Sequence, residues 1–159
     1  MRPAPEQTIS KKALPVWRIQ ASLKSILVLL LPVGYMIARY FFAGLPLWPL
    51  WPLLALFVLY VIVSVFIYPI VLWRKWRYDV LEQEIDLQYG VLIVRRTLIP
   101  MTRVQHVDTE QGPLLRKYQL AAVTISTASS VHRIPALSLE VADRLRDRIA
   151  VLAAVAEDE

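Results

Sequence analysis

Two patterns of apolar residues divide this chain. From Leu23 to Phe42, and again from Leu47 to Leu72, apolar positions follow one another almost without interruption. From Tyr78 onward they alternate with polar ones. Continuous runs of this length predict membrane spans, and alternation predicts strands with one face in the core. The first run is twenty residues, broken only by Lys24, Ser25 and Arg39. As a helix it covers roughly 30 Å, the thickness of a bilayer core. Lys24 and Arg39 lie near its ends, where their stems can carry the charges to the interface. Pro32 and Gly34 fall mid-span, where a kink is expected. The second run has no charged residue, and its helix is expected to start near Leu50, after Pro46 and Pro49. Trp48 and Trp51 mark one end and Trp73 and Trp76 the other, as in an aromatic interfacial belt. Pro69 is expected to bend its last turn.

The alternating part predicts a sheet. Ile85, Leu87 and Tyr89 alternate with Glu84, Asp86 and Gln88, which puts the acidic residues on a solvent face. Gly90 supplies a turn and Val91 to Ile99 reads as the hairpin partner, ended by Pro100. Val104 to Glu110, Ala121 to Thr127 and Val131 to Ile134 read as further strands. Ser138 then caps a helix with an apolar stripe of Val141, Leu145, Ile149 and Leu152, and with Glu140 and Arg144 paired on its surface. The organisation expected is an N-terminal segment (1–20), a two-helix transmembrane hairpin (21–73) and a small α+β antiparallel domain with a C-terminal helix (74–155).

Charge assigns the orientation. Through Arg77 there are nine basic side chains against Glu6 alone, and from Tyr78 onward nine against twelve acidic ones. The sequence pI of about 9.7 therefore belongs to the membrane flanks, and the domain is mildly acidic, which argues against nucleic acid as a partner. The membrane-flanking basic residues Arg18, Lys24, Arg74, Lys75 and Arg77 place both termini in the cytoplasm by the positive-inside bias. A multi-pass protein of the cytoplasmic membrane is the expectation, with the lipid bilayer as one partner. A cleaved signal peptide fits poorly, because two spans occur and no small-residue cleavage site follows a short apolar core. Composition agrees: 57% of residues are hydrophobic, and the excess is concentrated in the first half.

Chemistry is sparse. With no cysteine and only His106 and His132, thiolate and multi-histidine metal sites are excluded, and no cofactor motif occurs. Ser129 or Ser130 beside His132 lacks an orienting acid and an oxyanion hole at recognisable spacing, so a polar turn is the better reading. Asp79, Glu82, Glu84 and Asp86 read as the solvent face of strands rather than a cation loop.

The stretch from Tyr78 to about Leu152 resembles the pleckstrin-homology-like (PH-like) domain of the YdbS-like bacterial membrane proteins. The resemblance rests on "RYDVLEQEIDLQYG", "LIVRRTLIPMTRVQHVDTEQGPLLRKYQL", "AVTIST" and "RIPALS", preceded by two spans with a short loop. Gln119 departs from the pattern, since relatives often carry glycine there. The resemblance implies a seven-stranded PH-like barrel closed by a C-terminal helix and facing the cytoplasm. It also implies frequent company with a larger relative bearing several such domains. A phosphoinositide pocket is disfavoured, because the first strand turn holds Glu82 and Glu84, and Arg95 and Arg96 point to opposite faces of one strand. The expected function is a non-enzymatic, membrane-anchored interaction module. It would bind a membrane protein, such as a larger relative, or itself as a homo-oligomer. Lipid binding by the domain and a role as accessory subunit of a membrane enzyme or transporter are the alternatives. The candidate contact is Arg116, Lys117 and Tyr118, with bracing of Arg116 by Asp108 or Glu110 as its structural counterpart.

Overall fold

The computed structural model describes residues 3–42 and 44–158. The chain forms two compact units: one holds the segment up to Val16 together with Val71 onward, and the other is Trp17–Ile70.

The apolar runs are helical. Helix α1 (Ala13–Phe41) passes through Pro32 without a break. Helix α2 (Leu50–Val61) starts at Leu50, as the prolines before it dictate, and continues through a π turn (Ile62–Ile67) into α3 (Tyr68–Lys75). The π turn lies just before Pro69, and the Tyr68 N–H reaches back five residues to the Val63 carbonyl. Pro69 has no N–H, and its ring would collide with the carbonyl four residues earlier, so a widened turn accommodates it. Both helical stretches, Ala13–Phe41 and Leu50–Lys75, are long and apolar enough to cross a membrane, and most of their apolar side chains face outward. The connecting loop is closed by polar contacts: the Tyr35 hydroxyl donates to the Pro46 carbonyl at 2.8 Å, and Arg39 donates to Leu45 at 2.6 Å. Arg39 thus satisfies the loop backbone at its own end of the span.

The other unit holds two antiparallel sheets. The first has the order β1 (Gln7–Thr8), β2 (Arg77–Val80), β3 (Glu84–Tyr89), β4 (Arg95–Pro100). The second is β5 (Val104–Glu110), β6 (Leu120–Thr127), β7 (Val131–Ser138). Among the described residues there are seven strands, but one comes from before the membrane helices, and the two sheets do not close into a barrel. Between β4 and β5 the chain passes through a 3-10 turn, Met101–Arg103, and no ladder joins those two strands. A short helix α4 (Pro113–Lys117) links β5 to β6, and α5 (Leu139–Asp158) follows β7 directly.

The core lies between the sheets and α5. Tyr78, Val80, Ile85, Leu87 and Ile99 share one face of the first sheet by register, and all are buried. Both faces of β6 are covered, from Leu120 to Ile125. Helix α5 buries Ala142, Leu145, Ile149 and Ala153, with Val141 and Leu152 half-buried at the margins. The buried stripe is therefore turned slightly from the expected one, with Ala142 and Ala153 inside it.

Three expectations are corrected. Val91 to Val94 is a loop, and the hairpin partner of β3 starts only at Arg95. Gly90 adopts φ +120, and a Cβ there would stand 2.0 Å from the Ile93 carbonyl oxygen, so the chain folds back where β-branched composition predicts a strand. Asp86 is buried rather than solvated, because Arg96 covers it. Trp76 is not an interfacial residue: it is buried in the domain and stacks on Tyr89 at 5.8 Å.

Candidate functional site

The candidate segment follows β5. Gly112 has an extended backbone, Pro113 opens α4, and the Arg116 N–H returns to the Gly112 carbonyl at 2.9 Å. Proline suits this first helical position because its missing N–H would be unpaired anyway. The helix ends at once. Tyr118 donates to Leu114 and Leu115, and Gln119 takes the left-handed conformation, φ 55, that a glycine would otherwise supply. Gln119 thus makes the tight turn without glycine. Its carbonyl accepts from Leu139 at 3.2 Å, and the Gln111 side chain donates to Leu120 at 3.0 Å. The turn is therefore tied to the starts of both β6 and α5.

This frame presents Arg116 and Lys117 as exposed residues beside a half-buried Tyr118. The structure places all three on a single turn. Bracing of Arg116 is not seen: Glu110 pairs with Arg133 at 3.3 Å, and among the described residues Arg116 has no ion-pair partner. A flexible cation beside an aromatic ring, on a turn held by backbone bonds, can contact an acidic or aromatic surface with little reordering.

The other candidates are distributed differently. Ser130 Oγ lies 2.9 Å from His132 Nε2, but the same serine is locked into a polar turn with Thr127, whose hydroxyl accepts from the Ser130 N–H at 3.1 Å. His106 is exposed on β5. Arg96 bonds both oxygens of Asp86, at 3.0 Å from Nε and 2.5 Å from Nη2, so it is committed to that carboxylate, while Arg95 and Arg103 are exposed. The bond to Asp86 raises the Arg96 pKa. Asp79 accepts from the Val80 N–H and also raises the Tyr78 phenol pKa, after burial, which is the larger cause. Among the described residues no group of three or more His, Cys, Asp or Glu converges as metal ligands would.

Of the flanking basic residues, Arg74, Lys75 and Lys24 are exposed. Arg18 lies over the Phe66 ring at 5.9 Å, and Arg77 reaches the Pro5 carbonyl at 3.5 Å. Here the structure reveals a feature that periodicity missed. The segment before α1 is strapped into the domain. Thr8 pairs with Arg77, Ile9 is buried, and Trp73 Nε1 donates to the Ile9 carbonyl at 3.1 Å. The Ser10 N–H reaches the Ala136 carbonyl at 3.1 Å, and Arg96 Nη2 reaches Pro3 at 2.8 Å. Ala136, within the "RIPALS" stretch, has φ 51 and sits beside a register shift between β6 and β7. That bulge turns its carbonyl out of the ladder toward Ser10. A two-residue strand carries no periodic signal, and Trp73, which holds it, read only as a belt residue.

Two apolar helices joined to an open antiparallel domain with a C-terminal helix define a membrane-anchored PH-like protein. The bacterial PH domain family model matches residues 19–153, and the chain belongs to that family. It is 50% identical over 159 residues, covering 100% of this chain and 99% of the relative, to the transmembrane protein YdbS of Bacillus subtilis (strain 168). A second relative in the same organism, the transmembrane protein YdbT, is 24% identical over 84 residues, covering 50% of this chain and 17% of the relative. No solved structure matches.

Proposed function

We propose that this protein is a non-enzymatic interaction module, anchored in the cytoplasmic membrane with its domain on the cytoplasmic side. Its partner is a membrane protein, either a larger relative or a second copy of itself. The observation that carries this reading is the α4 turn, where Arg116 and Lys117 stand exposed beside Tyr118 on a backbone-braced frame. Arginine and tyrosine are enriched among residues that dominate binding energy, and a preformed turn loses little entropy on contact. The larger relative supports the choice of partner, since a segment similar to half of this chain recurs within a much longer membrane protein.

The test is affinity capture of the full chain from mild detergent, with a larger PH-domain relative or a differently tagged copy as the prey. Replacing Arg116 and Tyr118 together by Ala is expected to cut capture by about tenfold or more, the scale of a single strong contact residue. Arg116→Glu, an exposed change, should weaken capture without altering the melting of the domain. Undiminished capture by both variants would show that the turn is not the contact.

A further inference from the structure

The β3–β4 loop is the most exposed apolar feature of the domain. Leu92 is 97% exposed and Ile93 73%, with Val94 also outward. Fully exposed neighbouring aliphatic residues on a soluble surface mark a contact. This loop is also built rather than frayed: Gly90 at φ +120 lets the Ile93 carbonyl fold over it, which no residue with a Cβ permits.

Register fixes which end of the sheet the loop occupies. Tyr89 pairs with Arg95 and Gln88 with Arg77, whereas Val80 and Ile85 close the opposite end. Arg77 follows the last residue of α3, Lys75, by two positions. The loop therefore lies at the end of the sheet where the chain leaves its second span. The same end carries Arg74, Lys75 and Arg77, the exposed Arg95, and the stacked pair Trp76 and Tyr89. Val131, 67% exposed, joins them across a hollow of about 250 Å³ lined by Trp76, Tyr89 and His132. The far end holds the acidic turn with Glu82 and Glu84. The loop end is thus basic and apolar, whereas at the far end the acidic side chains share a hollow with Arg148.

We propose that the β3–β4 loop inserts Leu92 and Ile93 into the surface of the bilayer leaflet at which the second span ends. The occupant is lipid rather than protein, for two reasons on the same surface. The site is continuous with the membrane attachment, so the tether already holds the loop near headgroups at high effective concentration. Cations flanking an apolar tip are also the arrangement that suits anionic headgroups above acyl chains. The insertion is independent of any protein partner at α4, and it would fix the tilt of the sheet against the membrane and so set which surfaces face a partner.

The chain has no cysteine, so single labels are straightforward. The full chain carrying Leu92→Cys with an environment-sensitive fluorophore would be reconstituted in vesicles of phosphatidylcholine and phosphatidylglycerol. Thr102→Cys, exposed at the far end near Gln83, serves as the control. The expected result is a blue-shifted label at position 92, quenched several-fold more by acyl-chain nitroxide lipid than at position 102 and protected from aqueous iodide. A label at Val94→Cys should lose lipid quenching when Leu92 and Ile93 are both changed to Glu, with domain melting unchanged. Equal iodide access at positions 92 and 102 overturns the proposal. So does a label at 92 shielded from iodide but untouched by the nitroxide lipid, because protein would then cover the loop.

Discussion

Removing Arg96 tests whether the Asp86–Arg96 pair holds the first sheet and the N-terminal segment together. The Asp86 side chain is 6% exposed and that of Arg96 32%, and three contacts of 2.5–3.0 Å join them. Loss of one partner of a buried pair costs about 3–5 kcal/mol, because a charge is left buried without its counterion. Arg96 is itself exposed, so water can reach part of the vacated space, and the cost of Arg96→Met is that of leaving the buried Asp86 carboxylate short of a partner, about 2 kcal/mol. For a domain of this size that lowers the midpoint by roughly 10–20 °C. The assay is thermal melting of the full chain in mild detergent, with near-ultraviolet dichroism of the stacked Trp76 and Tyr89 as reporter. Asp86→Leu combined with Arg96→Met should recover most of the loss, since no charge then remains buried. Hydrogen exchange at Gln7 and Thr8 should accelerate in Arg96→Met, because the bond to the Pro3 carbonyl goes with the guanidinium. A midpoint close to that of the native chain, or strictly additive single and double changes, would refute the reasoning.

Two further outcomes follow from the backbone and from burial. Gln119 at φ 55 carries the left-handed cost of about 1 kcal/mol, so Gln119→Gly should raise the urea midpoint by an amount equivalent to about 0.5–1 kcal/mol; a lower midpoint would mean the side chain compensates. Burial, then Asp79, raises the Tyr78 pKa, so the folded state holds the phenol proton more tightly than the unfolded one. Stability from this group is complete below the ordinary tyrosine value of about 10 and falls as pH rises past it, and Tyr78→Phe should flatten that alkaline decline in melting experiments.

The parts of this fold legible in the sequence are those whose signal is local and repeated. The charge-free run from Leu47 to Leu72 can satisfy its backbone in lipid only as a helix, and the chain obliges from Leu50. The strands β3, β5 and β6 follow from alternation, and α5 from its stripe. What alternation cannot reveal is a second cover. Asp86 reads as solvated until Arg96, opposite Gln88 on the same face, is seen to close over it. Composition likewise cannot tell Val91–Val94 from a strand, because the difference lies in the left-handed backbone of Gly90. Trp73 and Trp76 read as belt residues since tryptophan suits an interface, yet one holds the Ile9 carbonyl and the other fills the domain. At the candidate site, Arg116 to Tyr118 were legible as one segment; the Glu110–Arg133 pair that leaves Arg116 unbraced depends on β7 and was not.

The strapped N-terminal segment bears on topology in a way that hydropathy alone does not. Hydrogen-bonded strands cannot have a bilayer between them, so the pairing of Gln7 with Tyr78 and of Thr8 with Arg77 requires both segments to lie on one side of the membrane. An even number of crossings between residues 8 and 77 satisfies that requirement, and α1 with α2 and α3 supplies two. A single crossing would tear β1 from the sheet and leave the Ile9 carbonyl and Trp73 Nε1 without each other.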